Sequence, residues 1–93
     1  MTHVVVQLTI SDQDALMAYR AKAADAMAVH GGAFLQVSGD LAQLEGEAPL
    51  PTIMGVLTFP SADDAKAWIN DPALAEVHAL RNKAGTSTIT LLG

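Results

Sequence analysis

The sequence predicts an α+β sandwich in which helices cover one face of a four-stranded antiparallel sheet. Three observations predict it. Residues 3–10 alternate, with Val4, Val6, Leu8 and Ile10 on one side and His3, Val5, Gln7 and Thr9 on the other, the two-residue period of a half-buried strand. Residues 57–72 read as a strand end, a stop, a capped helix and a second stop. Taken with the remaining segments, the chain order is β-α-β-β-α-β.

The elements follow in order. Ser11 ends the first strand and is expected to cap a helix from Asp12 to His30, with Asp14 at the capping-box position. Leu16, Tyr19, Ala23, Met27 and His30 recur at three- and four-residue spacing, so they form its buried stripe. Gly31-Gly32 stops it, since helices commonly end on a residue with positive φ. Residues 33–38 form the second strand, Gly39-Asp40 a turn, Leu41–Glu45 a short arm folding back, and Glu45–Pro51 a loop. Residues 52–59 form the third strand, in which Gly55 marks a bulge or a close approach.

Pro60 has no N–H to give a ladder and ends that strand. Ser61 then caps a helix running to about Asn70, with Asp63 and Asp64 on the first turn where the helix dipole favours negative charge. Ala65, Trp68 and Ile69 share one face of it. Asp71-Pro72 stops that helix and starts another, because the residue before proline is pushed out of the α region and proline suits a first helical position. Its stripe is Leu74, Val77, Leu80 and Arg81, and Ala84-Gly85 ends it. Thr86–Leu92 is the last strand. Right-handed crossovers then give a ferredoxin-like sandwich with antiparallel sheet order 4-1-3-2 and both helical layers on one face. The other face is expected to carry His3, Val5, Gln7 and Thr9, then Phe34, Gln36 and Ser38, then Met54, Val56 and Thr58, and finally Thr86, Thr88 and Thr90.

Composition narrows the partners. At 93 residues the chain is one domain, small enough that an isolated protomer is marginal. Apolar residues make up 51% and charged residues only 16%. A face as apolar as the bare one does not lie open to water, so a homodimer through that face is expected. Net charge is −5, with no basic run and no basic-aromatic pattern, which argues against nucleic acid. Cysteine is absent, which excludes disulfides, thiolate catalysis and zinc ribbons and suits a reducing cytoplasm. No apolar run has the length of a membrane span, and Met1-Thr2-His3-Val4 enters a strand without a signal-peptide pattern.

These residues together resemble the domain-of-unknown-function family thirteen-thirty, within the dimeric α+β barrel superfamily. The resemblance rests on Asp12, Ala15, Tyr19 and Arg20, then Gly31-Gly32 with Phe34, then Glu45-Gly46 and Phe59-Pro60-Ser61. Ala65, Trp68, Pro72, Arg81 and Gly93 continue it over nearly the whole chain. It implies a ferredoxin-like subunit and a homodimer whose sheets face each other around a shared barrel. It implies no established reaction, although superfamily relatives include cofactor-free monooxygenases, isomerases and haem enzymes. Several positions depart from the family pattern. Ala33 and Ile53 stand where arginines are usual, Thr58 where a glutamate is, and Leu74 where a tyrosine is. The tryptophan usual after Glu45-Gly46 is missing.

Candidate chemistry is sparse. His3, His30 and His78 lack metal-ligand spacing and have no cysteine to join them, so no metal site is expected. Haem is not expected either, and the residues point to no cofactor. His30 reads as structural in the last turn of its helix, and His78 as a surface or interface residue. Trp68 reads as a packing anchor and Arg81 as the partner of an acid or a helix-end cap. Gly31-Gly32 ends a helix and is no phosphate loop, and Ser61 lacks a nucleophile elbow's glycines. His3 and Tyr19 are the catalytic candidates, and neither has an evident carboxylate partner. A ligand site is expected on the bare face from His3, Phe34, Gln36, Thr58 and Thr90. Two functions follow: a small-molecule site for a small apolar metabolite inside a dimer barrel, or a non-enzymatic structural or interaction dimer whose barrel its own side chains fill.

Overall fold

The structure, a computed structural model, describes residues 1–93. Strand β1 (Thr2–Ile10) is followed by helix α1 (Gln13–Ala28), strands β2 (Ala33–Ser38) and β3 (Ile53–Phe59), and helix α2 (Ala62–Asn70). A single 3-10 turn (Pro72–Leu74), helix α3 (Ala75–Ala84) and strand β4 (Gly85–Leu92) complete the chain. The sheet order is β2-β3-β1-β4, all antiparallel, which is the expected order seen from the other edge.

The helix starts follow cap chemistry. Ser61 accepts from the Asp64 N–H at 3.2 Å, and its hydroxyl donates to the Asp64 carboxylate at 2.9 Å. Asp71 accepts from the Ala73 N–H at 2.9 Å with Pro72 at the first position of the turn. At α1 the cap is one residue later than expected. Asp12, not Ser11, accepts from Ala15 N–H at 3.0 Å, while the N–H groups of Ser11 and Asp12 both donate to the Ala84 carbonyl. That carbonyl anchors the β1–α1 corner to the end of α3, and the anchoring shifts the cap. At the other end of α1, Gly31 has φ 75° and Gly32 N–H donates back to Met27 O at 2.9 Å, a Schellman closure.

One face of the sheet meets the helices and holds the core. Val4, Val6 and Leu8 of β1 lie opposite Leu57, Gly55 and Ile53 of β3, and all face the helices. Leu16, Ala23 and Met27 of α1 and Ala65 and Trp68 of α2 close over them. The opposite face carries His3, Val5, Gln7, Met54, Val56 and Thr58 with Thr86, Thr88 and Thr90, as expected.

Strand β2 departs from the expectation. Phe34 pairs with Leu57 but Gln36 pairs with Val56, so Leu35 is an extra residue in a β-bulge. The expected alternation put Phe34, Gln36 and Ser38 on one face. The bulge breaks it: Phe34 shares the helix-covered face with Leu57, while Gln36 and Ser38 stay on the bare face opposite Val56 and Met54. The Asp40–Pro51 segment forms no regular structure and lies exposed except for a half-buried Leu41 and Pro51, with Gln43 donating to the Ala48 carbonyl at 3.1 Å.

Gly85 joins α3 to β4 where the backbones of β1 and β4 converge. A Cβ there would run into the Thr9 carbonyl oxygen and come within 3.1 Å of the Ile10 Cα. Both neighbours are backbone and cannot step aside. Gly85→Ala is therefore expected to cost at least about 2 kcal/mol of unfolding free energy in a denaturant titration. A loss below about 0.5 kcal/mol, the range of neutral surface changes, would show that the corner relaxes freely.

Candidate functional site

The side chains proposed from sequence divide between the two faces. His3 stands opposite Thr58 in the β1–β3 ladder, so those two do meet on the bare face as expected. Gln36 lies one rung along, opposite Val56, and Thr90 lies on the other side, opposite Val5. Phe34 is not among them, because the bulge turns it to the helix-covered face. Tyr19, on α1, is buried on the helix side. The two catalytic candidates, His3 and Tyr19, are thus separated by the sheet and do not form one constellation.

The larger opening in the protein is on the helix side. A crevice of about 400 Å³ runs between α1 and the β2–β3 half of the sheet. Phe34, Val37, Ile53 and Leu57 form its sheet wall, and Leu16, Tyr19, Arg20 and Ala23 its helix wall. Two small residues leave the space open. Gly55 sits between Val6 and Val37 and offers no side chain, and Ala23 faces it from α1. Strand β2 lies at the sheet edge, and Phe34, Leu35 and Val37 remain exposed along the rim. Tyr19 and Arg20 supply polar side-chain groups to an otherwise apolar lining.

Behind Tyr19 lies a buried polar relay. Arg81 on α3 is only 3% exposed, yet no carboxylate pairs with it, which corrects the expectation of an acid partner or helix cap. Its guanidinium lies 5.6 Å from the ring centroids of both Tyr19 and Trp68. Its Nη1 donates to His78 Nδ1 at 2.8 Å, and His78 Nε2 donates to the Trp68 carbonyl at 2.9 Å. The tautomer is forced, since a guanidinium only donates and a carbonyl only accepts. His78 is buried rather than at the surface as expected, and it packs edge-on against Trp68 at 5.0 Å. Burying a lone cation costs several kcal/mol. Two desolvated cation–π contacts at about 2 kcal/mol each and one charge-assisted hydrogen bond of about 1.5–3 kcal/mol offset that on the same scale. Arg81 Nε has no partner, so the compensation is incomplete.

Trp68 is the expected anchor, 2% exposed and 5.3 Å from the Phe59 ring. His30 has the structural role expected. Its Nε2 donates to Asp71 Oδ2 at 2.8 Å and ties the end of α1 to the cap of the 3-10 turn. That bond, with the Ala73 N–H, holds the Asp71 carboxyl below its ordinary 3.8. No group of three His, Cys, Asp or Glu side chains stands close enough together to hold a metal ion. No helix is long and apolar enough to cross a membrane.

Comparison with known proteins agrees with this fold. The profile of the family described as domain of unknown function (DUF1330) matches residues 1–93, so the chain belongs to that family. No curated protein matches the chain. Among solved structures it is similar to one described as the crystal structure of an antibiotic biosynthesis monooxygenase. Identity is 11% and the TM-score 0.63, with 100% of this chain and 97% of that one covered. At that identity the likeness concerns the ferredoxin-like fold alone.

The relay makes stability depend on pH. Burial, aided by the Arg81 charge and opposed by the Trp68 hydrogen bond, holds the His78 pKa below its ordinary 6.5. The unfolded chain therefore takes up this proton first, and unfolding becomes easier as pH falls below 6.5, until the folded pKa is passed. The Asp71 contribution is lost only further down, below 3.8, because its folded pKa is also depressed. Thermal unfolding against pH is expected to show a fall in Tm below 6.5 that is shallower in His78→Gln. Equal slopes in the two proteins would remove His78 as its source.

Proposed function

We propose that the protein is a homodimer that binds a small, mostly apolar molecule in the α1–β2–β3 crevice of each protomer. The crevice carries this reading. Its volume of about 400 Å³ falls within the usual range of small-molecule sites, and an apolar lining with a few polar groups suits such sites. The dimer is supported by the bare face, where Val5, Met54 and Val56 form an apolar patch among threonines and have no covering layer. A sheet-to-sheet dimer covers that face and leaves the crevice, on the opposite side, accessible.

A second reading puts the ligand between the two sheets. The His3–Thr58 pairing favours it, with Gln36 and Thr90 nearby, since an imidazole beside a threonine offers hydrogen-bonding groups to a guest. That site needs the second copy to close it, whereas the crevice is formed within one chain. A purely structural dimer accounts for the bare face but leaves the crevice without a role.

Two variants test the proposal. In a thermal-shift screen of small aromatic and branched apolar compounds, a ligand at a hundred times its Kd raises stability by about 2.7 kcal/mol. Val37→Trp fills the crevice from an exposed rim position, so it is expected to fold normally and lose the shift. A shift that survives Val37→Trp places the ligand elsewhere, and the absence of any shift with the wild-type protein contradicts the proposal. Val56→Glu is expected to give monomer in sedimentation without loss of fold, and a well-folded Val56→Glu dimer would show that another surface pairs.

A further inference from the structure

We infer that the ligand of the crevice is a small organic carboxylate, an apolar body bearing one negative charge that is held at the Arg20–Tyr19 end. The inference rests on the crevice reading above and adds the charge of the ligand. The chain carries ten acids against five basic residues, yet no acid lines the crevice. Arg20 lies on its rim, exposed and without an ion-pair partner, while the single ion pair in the protein joins His30 to Asp71. The wall next to Arg20 is Tyr19, and 5.6 Å from that ring centroid sits the Arg81 guanidinium. Arg81 is buried without a carboxylate, its Nε is unpaired, and its hydrogen-bond partner His78 accepts through an uncharged nitrogen.

The protein therefore sets one guanidinium on the crevice rim and a second behind its Tyr19 wall, and no acid among the lining residues balances them. In a partly desolvated site such a field favours an anion, because the surrounding side chains screen it less than water does. Arg20 is free to make a charge-assisted contact with a carboxylate. Arg81 does not reach the ligand and acts through the Tyr19 ring, as a positioning residue that sets the local potential. An apolar body is required as well, since Phe34, Val37, Ile53 and Leu57 form the rest of the space.

The test is calorimetric titration of the full chain with 1-naphthoate and with 1-naphthamide, which has nearly the same shape without the charge. The carboxylate is expected to bind at least about tenfold more tightly, the scale of one charge-assisted hydrogen bond. That preference is expected to shrink to about threefold or less in Arg20→Gln. It is also expected to narrow in Arg81→Met, which keeps the packing of the stem and removes the charge. Added salt is expected to weaken the carboxylate and leave the amide unchanged. Equal affinity for the two compounds overturns the inference and leaves the crevice reading standing. A preference that persists undiminished in Arg20→Gln also overturns it, and this variant keeps the test open should Arg81→Met fail to fold. Binding of neither compound overturns the inference, and the thermal-shift screen then decides whether the crevice reading falls with it.

Discussion

The helical layer is held together by the contact of one buried guanidinium with two aromatic rings. Arg81 comes from α3, Tyr19 from α1 and Trp68 from α2, so a single side chain touches every helix. His78 joins the same cluster by accepting from Arg81 and donating to the Trp68 carbonyl. With Phe59 packed at a tilt against Trp68, the cluster extends down to the sheet. A cation in this position constrains its surroundings. It needs π faces, it needs His78 neutral, and it leaves one donor unpaired. The helices must therefore keep their relative placement, and that placement sets one wall of the crevice.

The other wall depends on a different irregularity. Without the bulge at Leu35, Phe34 would share the bare face with Gln36 and Ser38, and the crevice would lose the aromatic part of its sheet wall. Gly55 then leaves the space that a larger residue would fill, with a Cβ there only 3.2 Å from Val37 Cγ2. An edge strand with an exposed apolar rim is open to pairing with another chain unless something covers it, and its bulge is one of the devices that blunt such an edge. On the proposed function, a bound ligand would cover part of that rim, which the protein's own helices leave uncovered.

Much of the frame was legible in the sequence because each signal was local. Ser61, Asp71-Pro72 and Gly31-Gly32 state where helices start and stop through hydrogen bonds to near neighbours. Alternation in β1 and antiparallel order were enough to place His3 beside Thr58. The candidate site was less legible. Gly55 did signal irregularity, but the bulge fell on the partner strand, one rung away, where nothing in Ala33–Ser38 marks it. That is why Phe34 was expected on the wrong face. The Arg81 relay left a signal that was readable. Leu74, Val77, His78 and Arg81 follow the spacing of one buried helix face, and two polar residues on such a face need each other as partners. The expectation of an acid for Arg81 failed because two rings and a neutral imidazole take the place of a carboxylate.

On the proposed function, ligands enter the helix-covered face and not the sheet face that a second copy would cover. Methyl-resolved NMR of the protein titrated with 1-naphthoate tests it most directly. The account expects the largest shift changes at Leu16, Ala23, Val37, Ile53 and Leu57, with intermolecular contacts from the naphthalene ring to those methyls. Changes confined to Val5, Met54 and Val56 on the bare face would contradict it.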